Sequence, residues 1–126
     1  MHYPYAGPDT GIDAPPFSGE VWTLIDAGTF SSGEWLAVQL KDNGLALLVG
    51  EPSGGGGDCP GDTLVFASPN LNLAFSVSHK IFRRPDREAV RIPAVVPDFH
   101  VAQTLEAYRA GADPVIEWLH SRWREH

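Results

Sequence analysis

Val21-Trp22-Thr23-Leu24-Ile25-Asp26-Ala27-Gly28-Thr29-Phe30-Ser31-Ser32-Gly33-Glu34-Trp35 is the stretch whose reading decides the fold. The Val21 to Ile25 run is continuously apolar, as in a strand covered on both faces, and the strand is expected over Glu20 to Asp26. A helix is expected from Ser31 to Asp42, with Trp35, Leu36 and Leu40 turned to the sheet at helical spacing. Gly44 is expected to end it as a left-handed residue, and Leu45 to Val49 reads as a second apolar strand. The unit is therefore strand, helix, strand, a right-handed parallel crossover.

Two serines stand where the first strand gives way to the helix. A hydroxyl at such a corner is lifted from the sheet, and the first amides of the helix point at whatever it attacks. The same residues also make an ordinary helix start, with Ser31 or Ser32 capping and Glu34 as the acid of the first turn. The corner alone leaves both readings open.

Further along, Gly50 to Asp62 is rich in glycine and reads as a loop too polar and glycine-rich to pack. Thr63 to Ala67 and Leu71 to Val77 flank Ser68-Pro69-Asn70 and read as a hairpin, which His79 to Phe82 extends or leaves. Arg83, Arg84, Arg87 and Arg91 are interleaved with Asp86 and Glu88 and read as a solvated strand edge or loop. Val95 to Val101 is a short strand that Pro97 confines to an edge or a strand start. Helices follow over Ala102 to Ala110 and Pro114 to Arg124, the second with Asp113 as N-cap and Pro114 at its first position. Residues 1–19, with several prolines and glycines and no apolar period, read as an extended arm or linker before a domain over residues 20–126.

The chain has 126 residues, 43% of them apolar and 20% charged, the balance of an ordinary globular domain. A net charge of -7 argues against a nucleic-acid partner. No apolar run approaches the ~20 residues of a membrane span. Cys59 is the single cysteine, so no internal disulfide forms, and nothing basic beside it lowers its pKa. The histidines and Cys59 show no ligand spacing, so no metal site and no cofactor is expected. The loop Glu51-Pro52-Ser53-Gly54-Gly55 lacks the Gly-Lys-Ser/Thr ending of a phosphate cradle.

Taken in order, Gly28-Thr29-Phe30-Ser31-Ser32-Gly33-Glu34, the Gly50-Glu51-Pro52-Ser53-Gly54-Gly55 loop, Leu73 to Ser78, Phe82 to Asp86 and Val96-Pro97-Asp98 resemble the tail-specific (C-terminal processing) serine peptidases. The likeness is nearer to their tricorn-like relatives and runs from about Pro16 to the C-terminus. It implies an α/β, ClpP/crotonase-like core with a parallel unit, an antiparallel hairpin and C-terminal helices. It also implies a peptide or protein substrate cleaved through an acyl-enzyme. The family's spacing between nucleophile and motif acid selects Ser31 as nucleophile, with the Ser32 backbone N–H as an oxyanion donor. Gly54 and Gly55 would wall the substrate cleft.

The departure from the family lies in the base. Lysine-dependent members carry it in the glycine-rich loop, where this chain has Gly56; Lys41 and Lys80 lie elsewhere. Tricorn-like members take a histidine from upstream of the nucleophile, where only His2 is found. His79 and His100 stand at strand ends, and His120 and His126 on or after the last helix. The family's downstream glutamate has Val96 in its place, and neither Glu88 nor Asp98 inherits that role. The chain is accordingly expected to be a peptidase segment lacking its base-bearing N-terminal half, inactive alone and able to self-associate through its apolar strand edges. The competing expectation is a peptide-binding or scaffold module on the same fold, without chemistry.

Overall fold

The computed structural model describes residues 17–124. Most of the expected arm over residues 1–19 lies outside the described residues, as do His2 and His126. Strand β1 (Trp22–Ile25), helix α1 (Ser32–Asp42) and strand β2 (Leu47–Gly50) form the expected unit. β1 and β2 pair in parallel, with Trp22 opposite Leu47 and Ile25 opposite Gly50. A short strand, β5 (Phe99–His100), joins the far side of β2 in parallel, giving the order β1-β2-β5. Between β2 and β5 the chain makes an antiparallel hairpin, β3 (Cys59–Ala67) and β4 (Ala74–Phe82), and a 3-10 turn at Ala89–Arg91. Helices α2 (Leu105–Ala110) and α3 (Pro114–Trp123) follow.

Strand alternation divides the small sheet into two faces. Ile25 and Leu48 pack with Ala37 and Val38 of α1 and with Val95. Trp22 and Phe99 lie on the other face, in ring contact with each other and with Trp118 of α3. The α1 face is closed, whereas the face toward α3 is covered only around Trp22 and Phe99, and Leu24 (44%) and Leu47 (37%) on it stay exposed.

The α1 face is one step from the expected one. Glu34, Ala37 and Val38 point inward, and Leu36 is 57% exposed. Each residue turns the helix by about 100°, so turning Ala37 and Val38 to the sheet carries Leu36 away from it. The small Ala37 lets the helix lie close. At the other end Gly44 adopts φ 64, its N–H donates to Lys41 O, and the Leu45 N–H donates to Leu40 O. This is the double bond of a Schellman stop.

Two loops are more ordered than their composition suggests. The glycines after β2 pack against the body, because each fills a space where a side chain would collide. A Cβ on Gly54 would lie 2.4 Å from Ala27 O, and one on Gly56 would lie 2.4 Å from the Ala94 carbonyl carbon. Ser53 is buried and its hydroxyl accepts the Val95 N–H (2.8 Å). Of the arginines expected in solvent, Arg83, Arg87 and Arg91 are exposed, but Arg84 is not, and Arg84 and Arg87 root the hairpin. Arg84 is buried and its guanidinium grips Asp42 at the end of α1 through Nε and Nη2 (2.9 Å each). Arg87 holds Asp58 (2.6 and 3.0 Å), which also accepts the Arg84 N–H (3.0 Å).

The hairpin strands are longer than the sequence pattern indicated, because β3 starts at Cys59, inside the expected loop, and His79–Phe82 stays in β4. At the other end the turn spans Ser68 to Leu73, so β4 starts at Ala74 and not at Leu71. Phe66 and Phe75 stack across it, and Val65 and Ile81 stand largely exposed. Asp113 caps α3 as expected, accepting the N–H groups of Val115 and Ile116. Thr104 caps α2 and Gly111 ends it in the left-handed conformation.

Candidate active site at the strand-to-helix corner

The corner after β1 is held by its own short polar side chains. Asp26 accepts the Gly28 N–H (2.9 Å), the Thr29 N–H donates to Asp26 O (2.9 Å), and the Asp26 N–H donates to Thr29 Oγ1 (3.0 Å). The glycine loop presses on the turn from outside, the Gly54 N–H donating to Thr29 O (3.0 Å). The chain has little freedom left when it reaches Ser31.

Ser31 takes φ 56 and ψ -120, a conformation that costs an L residue energy and persists only where its surroundings impose it. It occupies the N-cap position, yet its side chain makes no capping hydrogen bond. Its carbonyl starts the helix by accepting the Trp35 N–H (2.9 Å). The cap reading of the sequence therefore fails in its main feature: the hydroxyl is not turned back onto the helix. Ser31 and Ser32 are both exposed. The Gly33 N–H is taken by Phe30 O (3.2 Å), whereas Ser32, as first residue of α1, has no intrahelical acceptor for its N–H.

Ser31, Ser32 and Gly55 line a cavity of about 500 Å³ whose walls include Phe30, Glu34 and Phe82. Gly54 is not in its lining; its contacts are with the corner. Glu34, taken from the sequence as a first-turn acid, is 5% exposed and forms part of the cavity wall. Burial pushes its carboxyl above the ordinary value, and the through-space pull of Arg84 offsets this only in part. The signal that could have found it was its spacing, three and four residues before Ala37 and Val38 on the inward stripe. Cys59 also lines the cavity, where burial first, then Glu34 and Asp58, push its thiol up, away from the reactive thiolate.

No histidine or lysine is among the residues lining this cavity. His79 lies on the hairpin, 3.6 Å from Asp62. His100 is in β5, and His120 packs its ring near Trp123 on α3. Lys41 pairs with Asp98 and Lys80 with Asp62. Asp98 also accepts the Leu48 N–H (2.8 Å), so it staples β2 and does not face Ser31. Burial raises its carboxyl, but the Leu48 N–H and Lys41 outweigh this and hold it below the ordinary range. Glu88 is exposed beside Arg91.

The signature of Peptidase family S41 matches residues 4–101. Among solved structures, mature CPAF is similar over 82% of this chain and 19% of its own, with a TM-score of 0.62 and 25% identity. The tricorn protease is similar over 85% of this chain and 10% of its own, with a TM-score of 0.56 and 20% identity. The chain thus spans about a fifth and a tenth of the lengths of these two proteins. No curated protein sequence matches it.

Proposed function

The chain belongs to peptidase family S41, and from that premise we propose that it carries the acylation corner of a serine-type peptidase on a ClpP/crotonase-like core. Ser31 Oγ adds to the scissile carbonyl carbon of a peptide and its proton passes to a base. The oxyanion so formed accepts the Ser32 N–H at the positive end of α1. The tetrahedral species collapses with loss of the C–N bond, the leaving amine takes the proton back from the base, and water releases the acyl group. Gly55 contributes the facing wall, and Gly54 holds that wall on the corner.

One observation carries this reading: Ser31 is held at φ 56 and ψ -120 with an uncapped hydroxyl. A helix cap would use the side chain and would not require the strain. The base is assigned to residues outside the described ones, since the cavity lining offers neither imidazole nor amine. Without a base at this corner Ser31 is close to inert, because loss of one member of a triad removes several orders of magnitude.

The experiment is chemical rescue. A peptidyl p-nitrophenyl ester is mixed with the chain, with and without imidazole as a diffusible base. The expected result is an imidazole-dependent nitrophenolate burst that scales with the protein and disappears in Ser31→Ala. A burst that survives Ser31→Ala overturns the reading. So does its absence at every imidazole concentration.

The lack of an imidazole or amine among the described residues lining the cavity also favours a second reading, a module that holds a peptide without cleaving it. Saturable peptide binding that is unchanged in Ser31→Ala, together with no burst under rescue, supports that alternative.

A further inference from the structure

The cavity beside Ser31 is lined by three carboxylates, Glu34, Asp58 and Asp62, and by no cationic side chain. Two of these already have partners. Asp58 is held by Arg87 and by the Arg84 N–H, and Asp62 by Lys80 and His79. Glu34 is the most deeply buried of the three and takes part in no hydrogen bond or ion pair within the described residues. The nearby Arg84 guanidinium is already committed to Asp42.

A carboxyl largely withdrawn from water and without a hydrogen-bond partner costs stability, and the through-space pull of Arg84 replaces only part of its hydration. Here the burial is enforced by close approach. The loop lies close over the carboxyl at Gly55, where a Cβ would fall 2.4 Å from Glu34 Oε2 and push the side chain aside. What would relieve the cost is a cation brought in from the cavity side. The remaining walls say what kind. Trp35 and Phe82, with ring centroids 5.7 Å apart, and Phe30 offer apolar and aromatic surface. Such surface packs the aliphatic stem of a long side chain and attracts its charged end.

Resting on the reading that this cavity holds a peptide, we propose that Glu34 is a specificity-determining residue that receives a lysine or arginine side chain of that peptide. The stem lies along Trp35, Phe82 and Phe30, and the ammonium or guanidinium ends on the Glu34 carboxylate. A neutral side chain of similar length fills the same space and leaves the carboxyl unpaired, so the site discriminates by charge more than by shape.

The test uses the whole chain and blocked tetrapeptides identical except at one residue: arginine, lysine, citrulline or norleucine. Binding is followed by amide chemical shifts. The arginine and lysine peptides are expected to bind about tenfold more tightly than the neutral pair, as for a partly buried charge pair. They should shift the Ser32, Glu34 and Gly55 signals in the unmutated protein. Glu34→Gln should bring all four peptides within about twofold of one another, whereas Ser31→Ala should keep the preference. Equal binding of charged and neutral peptides overturns the proposal, as does a preference that survives Glu34→Gln. The ester burst separates the two claims. Charge selection without a Ser31 burst sinks the peptidase reading and keeps this one; a burst without charge selection does the reverse. Peptide shifts located away from the cavity sink both.

Discussion

Ser31 and Glu34 begin the same helix and line the same cavity, yet their surroundings are opposite. Ser31 is exposed, with its strained backbone and uncapped hydroxyl, while Glu34 is 5% exposed and has no hydrogen-bond partner among the described residues. A helix start built for stability would join these two side chains in a capping box. Here the serine is released toward the cavity and the glutamate is withheld from water. Both departures cost stability and both point into one space, which is where a site differs from a scaffold.

The Glu34 carboxyl gives a pH signature. Burial raises its pKa in the folded chain, so its contribution to stability is full below the unfolded value and is lost as pH rises through the folded one. Glu34→Gln is therefore expected to melt above the parent near neutral pH and together with it in acid. The check is the difference in melting temperature across a pH series. A difference independent of pH would contradict the assignment.

The Arg84–Asp42 pair has side chains only 3% and 2% exposed and ties the hairpin root to the end of α1. Arg84→Ala leaves a carboxylate buried without its partner and is expected to cost about 3–5 kcal/mol. The double change Arg84→Met with Asp42→Leu is expected to recover most of that loss, since apolar residues of similar volume have no charge to desolvate. Urea unfolding of the three proteins checks both statements.

Gly54 tests how the loop holds the corner. Its missing side chain faces the Ala27 carbonyl at 2.4 Å, a backbone group that cannot swing aside. Gly54→Ala is expected to cost about 1–3 kcal/mol and to weaken the imidazole-dependent burst, because the loop also bonds Thr29, close to Ser31. Thermal melts and the ester assay read the two effects separately.

Asp98 separates structural from catalytic acids. Its carboxylate is held below the ordinary range by partners that outweigh its burial, so its stabilising contribution is present at neutral pH and lost as pH falls through the depressed value. Asp98→Ala leaves the Leu48 N–H without its acceptor and is expected to cost about 1–3 kcal/mol. The imidazole-dependent burst should be unchanged. A lost burst in a folded variant would mean that Asp98 reaches the site.

The parallel unit was legible because both strands are apolar runs and the helix between them ends on a glycine in the left-handed region. The change of period at the corner offers Ser31 and Ser32 as candidates, and the family likeness alone proposes Ser31. The inward face of α1 was misread, because Leu36 is more apolar than Ala37 and only the tight approach of helix to sheet favours the smaller residue. The arginine clamp was missed because Arg84 and Asp42 are far apart in the chain and are joined only when the hairpin folds back on α1. The glycine loop looked unpackable for the same reason: its partners, Ala27 and Ala94, are brought to it by the tertiary fold.

The most direct test of the account is the site of covalent modification. The chain is treated with a fluorophosphonate in the presence of imidazole, digested, and its serine adducts are located by mass spectrometry. The expected result is one adduct, on Ser31, that forms slowly or not at all without imidazole. An adduct on Ser32, an even spread over exposed serines, or an unmodified Ser31 under full rescue would contradict it.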